Sequence, residues 1–453
     1  MNVRRLPATA ALLIVMAALL ALPTVAGART AHRDLSPAGD RSRHDFTLAV
    51  IPDTQNYLDY THQTAAGFPF DAHTMLDQQL AFVARNARRN GGDIAFASVL
   101  GDVWQHQSLA IDAESVAKHY SAIYNPWLAG SLSPTPFTKS VELPSAANAY
   151  DELAGAMPFG VVPGNHDYDA MYSDSRWVPT SDITKLNPND PNSIGELHMG
   201  GLDNFRQVFG SSAKYFRGKP WYVSSYNGGA DSAQVFFAGG YAFLNIGLEM
   251  DPPSDAVQWA QRVVRAFQGL PTIVTTHDYL NTDATRTPNP IIDPKLTDPS
   301  QNDPQDLWDR FISQNDQIFM VLCGHEHGEA YRVDANKYGD PVYQILADYQ
   351  DRSHVSLEKG LAKPVTLGDG WMRLMQFDLN GRIPTIHVRS YSTYYGAYST
   401  DLPQYISMYK ATEAPVLTDA QFLAKGDFTI QLDGFRHRFH EMSWPELAFA
   451  GVH

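Results

Sequence analysis

Five apolar runs along this chain each end in a short polar cluster. Residues 46–51 lead into Asp53-Thr54-Gln55, and 94–100 into Gly101-Asp102. Residues 159–163 lead into Gly164-Asn165-His166-Asp167, 271–275 into Thr276-His277, and 318–322 into Gly324-His325-Glu326-His327. Short apolar runs, several of them rich in β-branched residues and bounded by Gly, Pro or Asp, predict buried strands. Residues 71–90 and 256–268 instead carry apolar side chains at helical spacing: Met75, Leu76, Leu80 and Val83 in the first, Trp259, Ala260, Val263 and Val264 in the second. Gly91-Gly92 stops the first of these helices. Strands alternating with helices predict an α/β fold with β-α-β connections.

The remaining pattern divides the chain. Residues 103–158 and 168–235 interrupt the alternation as long insertions. The first carries an amphipathic helical stretch around 115–124 and then a Pro- and Ser-rich loop; the second is rich in Asn, Asp, Gly and aromatics. Long loops beside a site serve as lids or specificity elements, or they decorate the outer surface. After Gly328 the chain turns β-rich. Residues 341–346, 371–377 and 385–390 predict strands of the second sheet of a sandwich, with Asn380-Gly381 as a hairpin turn signal. Residues 401–453 form a C-terminal extension, strand-like at 428–432, to which no chemistry attaches.

The N-terminus changes the compartment. Arg4 and Arg5, an apolar stretch over 8–22 and Ala26-Gly27-Ala28 make a secretory signal peptide of residues 1–28, with Arg29 first in the mature chain and 29–45 a linker. The stretch is short for a membrane span, and no other run is long enough to cross a bilayer. The mature chain is therefore expected outside the cytoplasm. Its one cysteine, Cys323, allows no internal disulfide and reads as a small buried apolar residue. Net charge is −15, and loss of two Arg and no acids with the signal takes it to −17. That argues against a nucleic-acid-binding surface, which wants clustered Lys and Arg. It leaves a phosphate substrate open, because bound cations reverse the local sign.

Carboxylates, imidazoles and an amide at successive strand ends are the ligand types of a metal-assisted hydrolytic site, and strand ends present them rigidly. In this order the set resembles the calcineurin-like metallophosphoesterase family, whose pattern is Asp-x-His, Gly-Asp, Gly-Asn-His-Asp or -Glu, His, and Gly-His-x-His. The resemblance spans residues 46–400. It implies a β-sandwich of two mixed sheets flanked by helices, and two divalent ions (Mn²⁺, Zn²⁺ or Fe²⁺). Asp53, Asp102, His327 and Gln55 would hold one ion; the bridging Asp102 with Asn165, His277 and His325 would hold the other. Gln55 departs from the family's common pattern, standing where most members have a metal-binding His, although some carry Asp-x-Gln. An amide oxygen is the weaker and harder ligand. Purple acid phosphatases carry a Tyr where this chain has Gln105, so a ferric–tyrosinate centre is not implied.

The same resemblance gives His166 the role of protonating the leaving group, with Asp167 orienting it, while water activated between the ions attacks phosphorus in line. The implied activity is hydrolysis of a small phosphorylated substrate, a phosphomonoester first. Phosphodiesters, cyclic nucleotides or lipid head groups, would use the same ligands. A non-catalytic binding protein that keeps the fold is the reading from another class. Arg176, Arg286 and Arg352 are the candidate phosphate clamps.

Overall fold

The computed structural model describes residues 44–126, 128–130, 132–176, 196–289 and 291–442. The expected signal peptide, nearly all of the expected linker, part of the second insertion and the last residues of the extension lie outside them. No helix among the described residues is long and apolar enough to cross a membrane.

The strands are β1 (Asp45–Ile51), β2 (Ile94–Val99), β3 (Ala122–Ile123), β4 (Phe159–Val161), β5 (Ala170–Asp174), β6 (Leu197–Gly200), β7 (Tyr222–Tyr226), β8 (Asp231–Ala238), β9 (Tyr241–Gly247), β10 (Thr272–Thr275), β11 (Ile318–Cys323), β12 (Gly328–Ala335), β13 (Pro341–Asp348), β14 (Trp371–Asp378), β15 (Thr385–Ser392), β16 (Ala397–Tyr398) and β17 (Asp427–Gln431). One seven-stranded sheet runs β16-β15-β14-β1-β2-β4, with β17 also on β15; the other runs β12-β13-β11-β10-β9-β8-β7. Both are mixed. β1, β2 and β4 are parallel, as are β9, β10, β11 and β13, and antiparallel strands flank each parallel centre. A third, antiparallel sheet of β3, β5 and β6 is built from the two insertions.

The period-2 pattern of β1 explains how the layers stack. Phe46, Leu48 and Val50 point into one core cluster together with Phe236, Phe243, Phe319 and Ile345 of the other sheet. Ala49 and Ile51 point the other way, against Met75, Leu76, Leu80 and Val83. The two large sheets therefore share a dry interior, in which Phe96 stacks on Phe236 at 4.6 Å and Phe46 meets Phe243 edge-on at 5.3 Å. Helix His73–Arg85 covers the outside of the first sheet, and helix Ser254–Ala266 that of the second, through Trp259, Ala260, Val263 and Val264. A strand buried on both faces has no polar side to show, and continuous apolar runs are the result.

Three sequence expectations need correction. The strands after Gly328 do not all form the second sheet. β13 pairs with β11 there, but β14 pairs antiparallel with β1, and β14 and β15 extend the first sheet. The second insertion ends earlier than 235, because β7 and β8 belong to the second sheet. In the first insertion the helix spans only Ala113–Ala117, and Ala122–Ile123 is a strand. The C-terminal extension is joined to the sandwich. β17 pairs with β15, and Phe435 and Phe439 join the core between the large sheets.

Phe243 is fully buried and touches the rings of Phe46, Phe319, Phe377 and Phe435, which come from both large sheets and the extension. Phe243→Ala is expected to cost about 3–5 kcal/mol, the usual range for an aromatic truncated in a packed core. The check is a lower denaturant midpoint at an unchanged slope.

Candidate metal centre

All five polar clusters lie at the carboxyl ends of strands: Asp53 after β1, Asp102 after β2, Asn165 after β4, His277 after β10 and His325 after β11. The first three come from one sheet and the last two from the other, so the cluster closes one end of the sandwich. Asp102, His277 and His325 bring one ligand atom each to within 4.8 Å of one another, close enough to hold a metal ion.

Each side chain is held by the backbone around it. His277 Nδ1 lies 2.8 Å from the Leu100 carbonyl oxygen. A carbonyl only accepts, so Nδ1 carries the hydrogen, which leaves Nε2 to face Asn165 Oδ1 at 3.1 Å, Asp102 Oδ1 at 3.3 Å and Asp53 Oδ1 at 3.9 Å. This is how metal-binding histidines are commonly oriented. Asp102 also accepts from the His166 backbone N–H at 2.9 Å, and Asp53 from that of His325 at 3.1 Å. Asp102 (φ 49°) and His325 (φ 70°) sit in the left-handed region, where side chains other than glycine are strained. The glycines beside them are required by contact. A Cβ on Gly164 would lie 2.2 Å from Asp102 Oδ1, and one on Gly324 2.3 Å from Asp53 Oδ2.

The charges show why a cation belongs here. Burial and then neighbouring Asp348 hold the Asp53 carboxyl well above its ordinary range. Asp102 is held low: burial would raise it, but His277 and His166 outweigh burial. Burial would also lower His277, yet Asp102 pushes it up to about 10. A proton on Nε2 thus answers several oxygens at once, as a divalent ion would with more charge. Asp53 Oδ2 and Gln55 Oε1 are buried with no hydrogen-bond partner, an arrangement that costs free energy unless something electropositive fills it. The residues fit a metal.

The second group of proposed ligands is less complete. Gln55 Nε2 donates to Asp102 Oδ2 at 3.2 Å and to Gln350 Oε1, so the amide is anchored with its oxygen unspent. His327 is half exposed; its Nδ1 meets Asp351 at 2.8 Å and its Nε2 contacts Gln350. It does not join the close group of Asp102, His277 and His325. Gln350 is held in turn by Asp348, through its backbone N–H at 2.8 Å and its amide at 3.1 Å. Asp348, Gln350 and Asp351 are site residues that sequence reasoning missed. The signal was present, since Asp348 ends β13 as Asp53 follows β1.

Asp167 does not orient His166. Its carboxylate is fully buried and accepts from the backbone N–H groups of Val103 (2.9 Å), Trp104 (3.4 Å) and Gly164 (2.9 Å), which fastens two ligand loops together. His166 is oriented instead by the Gln105 carbonyl, 2.6 Å from Nδ1, and its Nε2 lies 3.8 Å from Asp102 Oδ2. None of the three arginines lines the cleft over the cluster. Arg176 pairs with Asp174, Arg286 with Asp334, and Arg352 is buried against Glu413 among Tyr349, Trp371, Tyr405 and Tyr409. Gln105 does line it, together with Asp102, Asn165, His166, His325 and His327, in a volume of about 650 Å³. Cys323 is buried in β11.

Asp59, His106 and Glu142 form a second buried group with metal-ligand chemistry. Both Glu142 oxygens and one Asp59 oxygen are already used. Glu142 accepts from the Tyr60 and His106 backbone N–H groups at 3.0 Å each and from His106 Nδ1 at 2.8 Å, and Asp59 accepts from the Thr61 N–H at 2.7 Å. It holds a turn.

Asp102→Ala is expected to reduce bound metal to well under one ion per chain, measured by elemental analysis of purified protein. Gly324→Ala should weaken binding too, through displacement of Asp53. Gln55→His should tighten Zn²⁺ binding in a metal titration; an unchanged affinity would mean that residue 55 does not reach the ion.

No protein-family model matches this chain, and no curated protein matches it.

Proposed function

We propose that this chain is a secreted calcineurin-like metallophosphoesterase that hydrolyses a small phosphoester, a phosphomonoester in the first instance. One observation carries the proposal: Asp102, His277 and His325 converge on a point at the floor of an open cleft, and His166 stands at the edge of that point. A non-catalytic scaffold has no need to keep strained ligands and unpaired buried oxygens there.

Asp102, Asn165, His277 and His325 would hold one divalent ion; Asp53, Asp102 and Gln55, with His327 after a small movement, would hold a second. Mn²⁺, Zn²⁺ and Fe²⁺ suit such mixed donors. Held there, such ions would supply an activated water and neutralise charge on the phosphoryl oxygens. With Nδ1 of His166 held on the Gln105 carbonyl, Nε2 is the atom that carries the exchangeable proton toward the cleft. There it can donate to a phosphoryl oxygen and then to the departing alkoxide. Asp167 keeps the Gly164 turn against Val103, and so keeps Asn165 and His166 beside Asp102. The basic n-region, apolar stretch and Ala26-Gly27-Ala28 support export and removal of residues 1–28.

His166→Ala is expected to lower turnover of esters with poor leaving groups by about 10²–10⁴-fold, the range of a lost general acid. Metal content should stay near normal, and an activated aryl ester should suffer less. The assay is a panel of mono- and diesters with each metal added singly. No hydrolysis of any ester with any metal would defeat the proposal, and equal losses on both ester types would reassign His166 to phosphate binding.

A further inference from the structure

The lining of the cleft is of two kinds, polar and apolar. Besides the ligand cluster, Leu132, Met171, Leu197, Ile291 and Ile292 line it. Leu132 comes from the first insertion, Met171 and Leu197 from β5 and β6 of the second, and the two isoleucines from the loop after His277. Met171, Leu197 and Ile292 are buried in one small apolar cluster with Leu128 and Met250, and the partly exposed Leu132 and Ile291 pack onto it. The wall is held in place: the Leu197 N–H donates to the Ile291 carbonyl at 2.8 Å.

It is also continuous with the metal centre. Asn289 Oδ1 accepts from the backbone N–H groups of Ile291 and Ile292 at 3.0 and 3.1 Å, while its Nδ2 lies 3.0 Å from His325 Nε2. One side chain thus touches a proposed ligand and the turn that carries the wall. No Lys or Arg is among the described residues lining the cleft, and Glu326 and Asp351 sit on its polar side. A second anionic group lying against these apolar side chains would meet no Lys or Arg there.

We propose that this wall receives the alcohol portion of the substrate, and that this portion is uncharged and apolar, an alkyl or aryl group. The proposal rests on the phosphoesterase reading, because it places the phosphoryl group at the metal centre. The insertions are then specificity elements: without them the wall lacks three of its five side chains.

The probe is a series of n-alkylphosphonates from methyl to hexyl, titrated calorimetrically into the full mature chain loaded with Mn²⁺. Transfer of one methylene from water to an apolar surface changes an equilibrium up to about fourfold. The affinity is therefore expected to rise about two- to fourfold per carbon until the wall is covered. Leu132→Ser with Ile291→Ser, both at partly exposed positions, is expected to flatten that slope. Binding of methylphosphonate with no rise along the series would overturn the wall and leave the phosphoesterase reading standing. A rise that persists undiminished in the double variant would place the apolar contact elsewhere and also overturn it. No binding of any phosphonate by the metal-loaded protein would sink both.

Discussion

The carboxylate of Asp102 is where the two halves of this protein meet. It leaves β2 of the first sheet in a strained backbone conformation and faces His277 from β10 of the second, 3.3 Å away. It also takes the amide hydrogens of His166 and Gln55. A fully buried carboxylate is tolerated only when paired and hydrogen-bonded. The sandwich therefore cannot shift its sheets relative to each other without stranding that charge. Gly101, Gly164 and Gly324 are glycines because the ligand groups occupy the space a Cβ would take.

Around that contact lies a site whose charges do not balance by themselves. Asp53 and Asp348 are both pushed up by burial, Asp348 to about 7, while His277 is pushed up to about 10 by Asp102 against burial. Acids held partly protonated beside an imidazole held charged make a store of displaceable protons. Such a site would take up a cation with release of protons. His325 is different: burial and the neighbouring His277 hold it neutral, which is the form a ligand needs.

The insertions and the C-terminal segment show how the rest of the chain serves this end of the sandwich. β5 follows directly on the Gly164-Asn165-His166-Asp167 cluster and pairs with β6, which brings Met171 and Leu197 over the cleft. Residues after 400 brace the sandwich as well. Glu413 neutralises buried Arg352, and β17 caps the first sheet through β15. Arg352 is an anchor for aromatic packing, with Tyr349, Trp371, Tyr405 and Tyr409 around its guanidinium.

The strands that carry Asp53, Asp102, Asn165, His277 and His325 were legible in the chain because a strand buried on both faces must be apolar throughout, and a polar residue then marks its end. Helices 73–85 and 254–266 were legible because one face alone had to be apolar. What sequence could not decide was pairing. Whether 371–378 lies beside 45–51 or beside 341–348 depends on contacts between residues hundreds of positions apart, which no local pattern records. The same limit hid Gln350, whose place in the site follows from β13 lying beside β11. It also misplaced Asp167, since an acid next to a histidine in sequence reached three backbone amides before it reached the ring. Residue type and order pointed to the candidate ligands; distance in three dimensions decided which of them come together.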